Sequence, residues 1–168
     1  SDHPDNAVLQ VLAGFLRNGF LHTAIREKGG AYGGGASQDA NSASFRFFSY
    51  RDPRLTETLA DFDRSIDWLL NGGHQDNQLE EAVLGIIAAM DKSSSPAGEA
   101  RQAFYNHLFG RSIEQRMAFR QRVLATTMED LQRAASTYFQ QGHESIGIVS
   151  NRQALEEAKI DGLNILNI

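Results

Sequence analysis

A glycine-rich stretch between two apolar patterns constrains the fold of this 168-residue chain more than any other feature. From Gly29 to Ala36, every residue except Tyr32 is glycine or alanine. Glycine commonly ends helices, and a run without large side chains lets another chain approach the backbone closely. We therefore interpret this stretch as the end of a helix followed by an exposed, functional strand.

The residues before this stretch carry a helical pattern from Asp5 to Lys28. Apolar side chains recur there at the three- and four-residue spacing of a buried helix face. Asp5 or Asn6 is placed to cap the first turn, and Gly29 is placed to end the helix. Arg26 then lies in the last turn.

Two strands are predicted after the helix, at about 31–37 and 43–51, joined by a turn of polar composition. The second strand alternates between two faces, which carry Phe45, Phe47 and Ser49 on one side and Arg46, Phe48 and Tyr50 on the other. The two strands are expected to form a hairpin.

Helices dominate the rest of the chain. They are expected at 55–70, 76–92, 97–109, 113–125 and 128–141, with a strand at 145–150, a short helix at 152–159 and a last strand at 163–168. Capping boxes mark helix starts at Ser112 and at Thr126 or Thr127. Phe104 and Phe109 are expected in the core. The predicted fold class is α+β, an antiparallel or mixed sheet covered by helices.

The composition is that of an ordinary globular protein, and we expect residues 1–168 to form a single domain. Hydrophobic residues make up 41% of the chain, and no apolar run approaches the ~20 residues of a membrane span. The formal net charge of -5 argues against a nucleic-acid partner. Without cysteine, the compartment stays undetermined, with the cytoplasm or an organelle favoured. Because the chain starts at Ser1 without a signal segment, we expect a piece of a larger protein.

Arg26 and Tyr32 are the leading candidates for chemistry. A guanidinium and a phenol at the two ends of the helix-to-strand transition could converge on a ligand rich in carbonyl groups. The alternative is structural, with Arg26 as a cation at a helix C-terminus and Tyr32 as a half-buried strand aromatic. His22 lies one turn before Arg26 and either orients the arginine or a substrate, or is a structural histidine.

Other polar and glycine-rich motifs point to structure or packing. The glycines at 33–35 lack the ending of a phosphate loop, so nucleotide binding is disfavoured. They are expected either to permit close packing against another domain or peptide, or to form a flexible loop. In the first case Gly34→Val would disturb activity or docking more than folding, and in the second it would be tolerated. At the end of the second strand, Asp52 is expected to accept from turn amides and Arg51 to pair locally.

The segment Arg-Glu-Lys-Gly-Gly-Ala-Tyr-Gly-Gly from Arg26, with Ser-Tyr-Arg-Asp-Pro from Ser49, resembles a known family. It is similar to the C-terminal half of the pitrilysin/insulinase-type zinc metallopeptidases, particularly the presequence-protease subgroup. The resemblance continues through Ser95-Pro96, residues 104–110 and residues 114–116. It implies the last repeat of a duplicated α/β sandwich whose first strands are missing, with the zinc site in the N-terminal half of the same polypeptide.

The resemblance also implies roles for particular residues. Tyr32 would donate to the scissile carbonyl or its oxyanion, and Arg26 would hold a substrate backbone carbonyl. Residues that would contact the substrate with them are Gly33, Gly34 and His22.

The function implied by the resemblance is the C-terminal, non-zinc-binding part of a zinc metalloendopeptidase that degrades unstructured peptides in an enclosed chamber. One alternative is a non-catalytic partner or assembly subunit of the same fold. A further alternative is a peptide-binding module that adds an extended segment to a sheet edge.

The isolated chain is predicted to bind zinc no better than a generic surface histidine and to hydrolyse no peptide. No two of its five histidines lie within five residues of each other, and none stands in a His-x-x-Glu-His motif. The measurement is zinc content after dialysis against a weak chelator, alongside a peptide hydrolysis assay. Stoichiometric zinc retained by the chain would contradict the prediction.

Overall fold

The computed structural model describes residues 3–75, 77–92, 94–139, 144–160 and 162–166. In these residues, seven α-helices accompany a two-stranded antiparallel sheet, which confirms the predicted α+β class. The elements are α1 Asn6–Leu16, its π-helical continuation Arg17–Lys28, β1 Gly33–Asp39, β2 Ser44–Tyr50, α2 Thr56–Leu70, α3 Asn77–Asp91, α4 Pro96–Leu108, α5 Ile113–Leu124, α6 Met128–Tyr138 and α7 Arg152–Ala158.

Helix α1 lies at the centre of the fold. All of its residues except Gln10 are buried, and α3, α5, α6 and β1 pack around it. Leu12 and Leu16 are completely inaccessible to solvent. Burying a leucine fully contributes roughly 1.5–3 kcal/mol, so covering this helix supplies much of the driving force for folding.

The predicted helix over 5–28 is confirmed in extent, but its geometry changes halfway. From Arg17 onward the backbone is a π-helix, in which each turn is wider than in an α-helix. Leu21 and Ile25 are the buried residues of this segment, and their spacing does not distinguish the two helix types. Gly19 permits close packing here, because a Cβ atom at this position would lie 2.5 Å from Cη2 of Trp68.

Strands β1 and β2 form the predicted hairpin, paired from Gly33 with Tyr50 to Asp39 with Ser44. The predicted alternation along β2 is also confirmed. Its half-buried residues include Phe45, Phe47 and Ser49, and its exposed residues are Arg46, Phe48 and Tyr50. One face of the hairpin therefore turns toward the core and the other toward solvent.

The glycines of β1 pack against neighbouring groups within the same chain. A Cβ atom at Gly34 would lie 2.8 Å from Cγ2 of Ile25 and 3.1 Å from the carbonyl oxygen of Phe48. A Cβ atom at Gly33 would overlap the ring of Tyr50. These contacts indicate that Gly34→Val also lowers the folding stability of this chain. That the substitution disturbs activity or docking more than folding stays a prediction.

Two predicted strands are absent from the described residues. Residues 145–150 have an irregular conformation and line a cavity of about 1200 Å³ together with residues of β2 and α2. A strand requires a hydrogen-bonded neighbour, and the cavity lies between this segment and β2. Residues 163–166 are also irregular, while residues 167 and 168 lie outside the described part of the chain.

The prediction of Phe104 and Phe109 as core residues is wrong. Their exposed fractions are 63% and 55%, and α4 contains no buried residue. The apolar side of α4 is therefore not covered by other elements in the described part of the chain. No helix among the described residues combines the length and apolar character that a membrane span requires.

The predicted capping boxes are confirmed at the start of α5 and of α6. The Ser112 hydroxyl accepts from the amide of Gln115, whose side chain accepts from the amide of Ser112. Thr127 and Asp130 make the same reciprocal pair. These local signals fix where both helices begin.

Asp5 occupies the N-cap position of α1, but its carboxylate does not cap the helix. Arg133 donates to it from Nη2 at 2.6 Å and from Nη1 at 3.1 Å, and the Tyr138 hydroxyl donates at 2.7 Å. The bonds from Arg133 hold the pKa of Asp5 at about 2, below the usual 3.8, against the opposing effect of burial. The ionised carboxylate therefore ties the start of α1 to α6.

Asp5→Asn is predicted to lower the free energy of unfolding by roughly 1–2 kcal/mol at pH 7, since Arg133 is half exposed and solvent weakens the pair. Because the pKa of Asp5 is lower in the folded chain, its contribution is complete above about pH 4 and disappears as the pH falls toward 2. Urea unfolding of both proteins between pH 7 and pH 2.5 measures this. Glu156→Gln is the control, because Glu156 forms an exposed ion pair with Arg152, and it should change the free energy of unfolding little. A pH-independent difference between wild type and Asp5→Asn would contradict the prediction.

Gly34→Ala is predicted to destabilise the isolated chain by roughly 1–3 kcal/mol, and Gly34→Val by more, because overpacking forces neighbouring groups to move. Gly85 in α3 is the matched control, since a Cβ atom there meets nothing within 4 Å. Gly85→Ala should raise stability by about 0.5–1 kcal/mol through helix propensity. The measurement is denaturant unfolding of the three variants. Equal stability of Gly34→Ala and Gly85→Ala would refute the packing role of Gly34.

Candidate functional site

A tight reversal of the backbone separates Arg26 from Tyr32. The amide of Gly30 donates to the carbonyl oxygen of Arg26 at 3.1 Å, and the amide of Ala31 donates to that of Ile25 at 3.1 Å. Gly30 has a φ of +79°, a conformation that favours glycine. Arg26 and Tyr32 are thus connected by a hydrogen-bonded turn, which limits their relative movement.

The Arg26 side chain is exposed and lies beside His22, as their spacing in the helix predicts. Its Nη1 atom is 3.4 Å from Nε2 of His22. On the other side of the ring, Nδ1 is 3.4 Å from a carboxylate oxygen of Glu27. A neutral imidazole with its proton on Nδ1 satisfies both contacts, since Nε2 then accepts from Arg26 and Nδ1 donates to Glu27. His22 therefore links the arginine to a carboxylate.

The Tyr32 side chain is 61% exposed and contacts the end of β2. Its ring centroid lies 5.4 Å from that of Tyr50 and 5.4 Å from Cζ of Arg51. Its amide donates to the carbonyl oxygen of Arg51 at 3.3 Å. Tyr32 is therefore an exposed residue at the start of a strand, and it is not half-buried as the structural alternative supposed.

The structure brings the candidate residues together in two neighbouring groups. Arg26 contacts His22, whereas Tyr32 contacts Tyr50 and Arg51. Among the described residues, the exposed Tyr32 hydroxyl has no hydrogen-bond partner, so it is available to a ligand. A guanidinium and a phenolic hydroxyl are thus presented at opposite ends of one turn.

Gly33 and Gly34 follow Tyr32 directly and begin β1. Their missing side chains make room for Tyr50 and Ile25, as described above. A direct contact of these two glycines with substrate remains a prediction.

Arg54 is the residue of this region that sequence reasoning missed. Its Nη2 atom donates to the backbone carbonyl of Ala24 at 3.2 Å and to the Asp61 carboxylate at 3.1 Å. The guanidinium also lies against the backbone at Gly29, where a Cβ atom would collide with it. Arg54 therefore fixes the end of the π-helical segment to α2. The only sequence signal was its position after the strand-ending Asp-Pro pair.

The expectation for Asp52 is confirmed. Its carboxylate accepts from the amide of Arg54 at 3.0 Å and from the Thr58 hydroxyl at 2.7 Å. The expectation that Arg51 pairs locally is not met, since Arg51 forms no ion pair with the described residues. Its guanidinium lies over the Tyr32 ring instead.

The described side chains do not fit a zinc ion. Zinc sites in proteins need three or four converging histidine, cysteine or carboxylate ligands. No group of three such residues comes together in the part of the chain that the structure describes. His74, for example, packs with its ring edge-on against the rings of Phe15 and Trp68, which also contact each other. We therefore assign no step to a metal bound by these residues.

Comparison with known proteins identifies the family. Residues 4–151 match the PreP C-terminal domain family. The mitochondrial presequence protease of Mus musculus is 37% identical over 145 residues, which is 86% of this chain and 14% of that protein. The presequence protease of Eremothecium gossypii is 42% identical over 140 residues, which is 83% of this chain and 14% of that protein. The presequence protease of Saccharomyces cerevisiae is 38% identical over 137 residues, which is 81% of this chain and 14% of that protein.

The chain spans about a seventh of the length of these relatives. The family match covers both groups of candidate residues and every element from α1 to α6. This chain therefore belongs to the PreP C-terminal domain family.

Proposed function

We propose that this chain is the C-terminal, non-zinc-binding part of a zinc metalloendopeptidase that degrades unstructured peptides in an enclosed chamber. The observation that carries the proposal is the pair of exposed donors, Arg26 and Tyr32, held on either side of a hydrogen-bonded turn. Membership of the PreP C-terminal domain family supports it. A purely structural domain would need neither donor in solvent.

In the proposed mechanism, Tyr32 donates a hydrogen bond from its hydroxyl to the oxygen of the scissile carbonyl. This bond strengthens as negative charge develops on that oxygen, so it lowers the energy of the transition state more than that of the bound substrate. Arg26 holds a backbone carbonyl of the substrate through its guanidinium. His22 orients Arg26, and Gly33 and Gly34 lie where the substrate backbone passes.

The partner of this chain in the proposal is the N-terminal half of the same polypeptide, which holds the zinc ion. Residues 1–168 form one domain, the last repeat of the peptidase. The peptide is enclosed between the two halves, so folded proteins are excluded by size. Water is excluded from the same space, which strengthens the hydrogen bonds from Arg26 and Tyr32.

In the full-length peptidase, Tyr32→Phe is predicted to lower kcat by about 100-fold with little change in KM, because it removes a donor that acts mainly in the transition state. Steady-state kinetics on an unstructured peptide measures both constants. Tyr50→Phe is the matched control, since it removes the hydroxyl of the neighbouring, half-exposed tyrosine. Wild-type kinetics for Tyr32→Phe would overturn the assignment and favour a non-catalytic subunit.

Arg26→Ala is predicted to raise KM and to lower kcat, because a guanidinium that holds the substrate main chain acts in binding as well as in orientation. The same kinetic assay gives both constants. Arg46→Ala serves as the control, since Arg46 is an exposed arginine on β2 that pairs with Asp39. An equal effect of the two substitutions would show that general positive charge, and not the position of Arg26, matters.

A further inference from the structure

We propose that Arg51 is a positioning residue that holds the Tyr32 ring in the orientation needed for hydrogen-bond donation. This inference rests on the proposed function, since it concerns the same phenol.

The backbone of Arg51 has an unusual conformation. Its φ is +48°, in the left-handed region that arginine rarely occupies. Such a conformation persists only where the surroundings enforce it, and it is concentrated at functional positions. Here the Tyr32 amide donates to the Arg51 carbonyl at 3.3 Å. The left-handed turn ends β2 and directs the guanidinium back over the ring of Tyr32, with Cζ 5.4 Å from the centroid.

The neighbouring carboxylates do not draw Arg51 away from this position. Asp52 accepts from the Arg54 amide and from Thr58, and Asp61 accepts from the Arg54 guanidinium. Arg51 forms no ion pair with any residue that the structure describes. Its guanidinium lies over the face of the Tyr32 ring, which attracts a cation through the ring quadrupole.

A second contact, with Tyr50, restricts the orientation of the Tyr32 ring. Tyr50 lies with its ring centroid 5.4 Å from that of Tyr32, and it occupies the space that a side chain at Gly33 would fill. Since Tyr32 is 61% exposed, core packing does not fix its rotamer. The contacts with Arg51 and Tyr50 therefore determine where the hydroxyl points.

The test is a double-mutant cycle in the full-length peptidase, with kcat and KM measured for wild type, Arg51→Ala, Tyr32→Phe and the double variant. If Arg51 acts through the Tyr32 hydroxyl, Arg51→Ala lowers kcat by about three- to tenfold with KM nearly unchanged, the range expected for a cation over an aromatic ring. In the Tyr32→Phe background it has no further effect on kcat. An equal reduction in both backgrounds would overturn the proposal.

Two further variants separate the guanidinium from the strained backbone. Arg51→Gly relieves the left-handed conformation but removes the side chain, so its kcat should be as low as that of Arg51→Ala. Arg51→Lys keeps a cation and should restore part of the lost activity. Recovery of wild-type kcat in Arg51→Gly would show that only the backbone matters and would overturn the proposal. Thermal unfolding of each variant checks that the domain stays folded.

The cycle also separates failure of this inference from failure of the proposed function. Wild-type kinetics in Tyr32→Phe alone would remove the catalytic role of Tyr32. A large effect of Tyr32→Phe, combined with additive effects in the cycle, would keep that role and reject only the positioning by Arg51. Arg46→Ala, on the exposed face of the same strand, controls for loss of an arginine near the site.

Discussion

The candidate site depends on the largely buried guanidinium of Arg54. It joins the carbonyl of Ala24 in the π-helical segment to the carboxylate of Asp61 on α2, and it lies against the backbone of Gly29. Asp61 is almost completely buried. Removing Arg54 would leave this carboxylate with the half-exposed Arg64 as its one remaining ion-pair partner among the described residues. Through this one cation, the helix end is held in place beside α2.

The close approach at this point requires missing Cβ atoms. Gly29 accommodates the Arg54 guanidinium, Gly19 accommodates the Trp68 indole, and Gly34 leaves space for Ile25. The glycine-rich sequence predicts a close approach of another chain, and that contact stays a prediction at Gly34. Within this chain, the glycines already make room for neighbouring side chains and so stabilise the scaffold of the site.

Sequence reasoning succeeded where neighbouring residues alone determine the structure. The alternation along β2, the capping boxes and the contact of His22 with Arg26 all follow from fixed helix and strand periodicities. It failed where the partner lies far away in the sequence. The contacts of Arg51 with Tyr32 and of Arg54 with Ala24 require the fold to be known. For the same reason, periodicity predicts an apolar side on α4 but does not predict whether another element packs against it.

Preorganisation and desolvation have separate origins in this molecule. Arg26 and Tyr32 lie on either side of the reversal at Gly30, close to the contacts of Arg54, and the Tyr32 ring lies beside the Tyr50 ring and the Arg51 guanidinium. Both donor side chains remain exposed to water. In water, a hydrogen bond from such a donor contributes only about 0.5–1.5 kcal/mol, because it replaces a bond to solvent. The same donor is worth on the order of 3 kcal/mol in a dry cavity. Under the proposed function, this chain therefore supplies the geometry of the site, and the N-terminal half that closes over it supplies the low dielectric in which that geometry becomes catalytic.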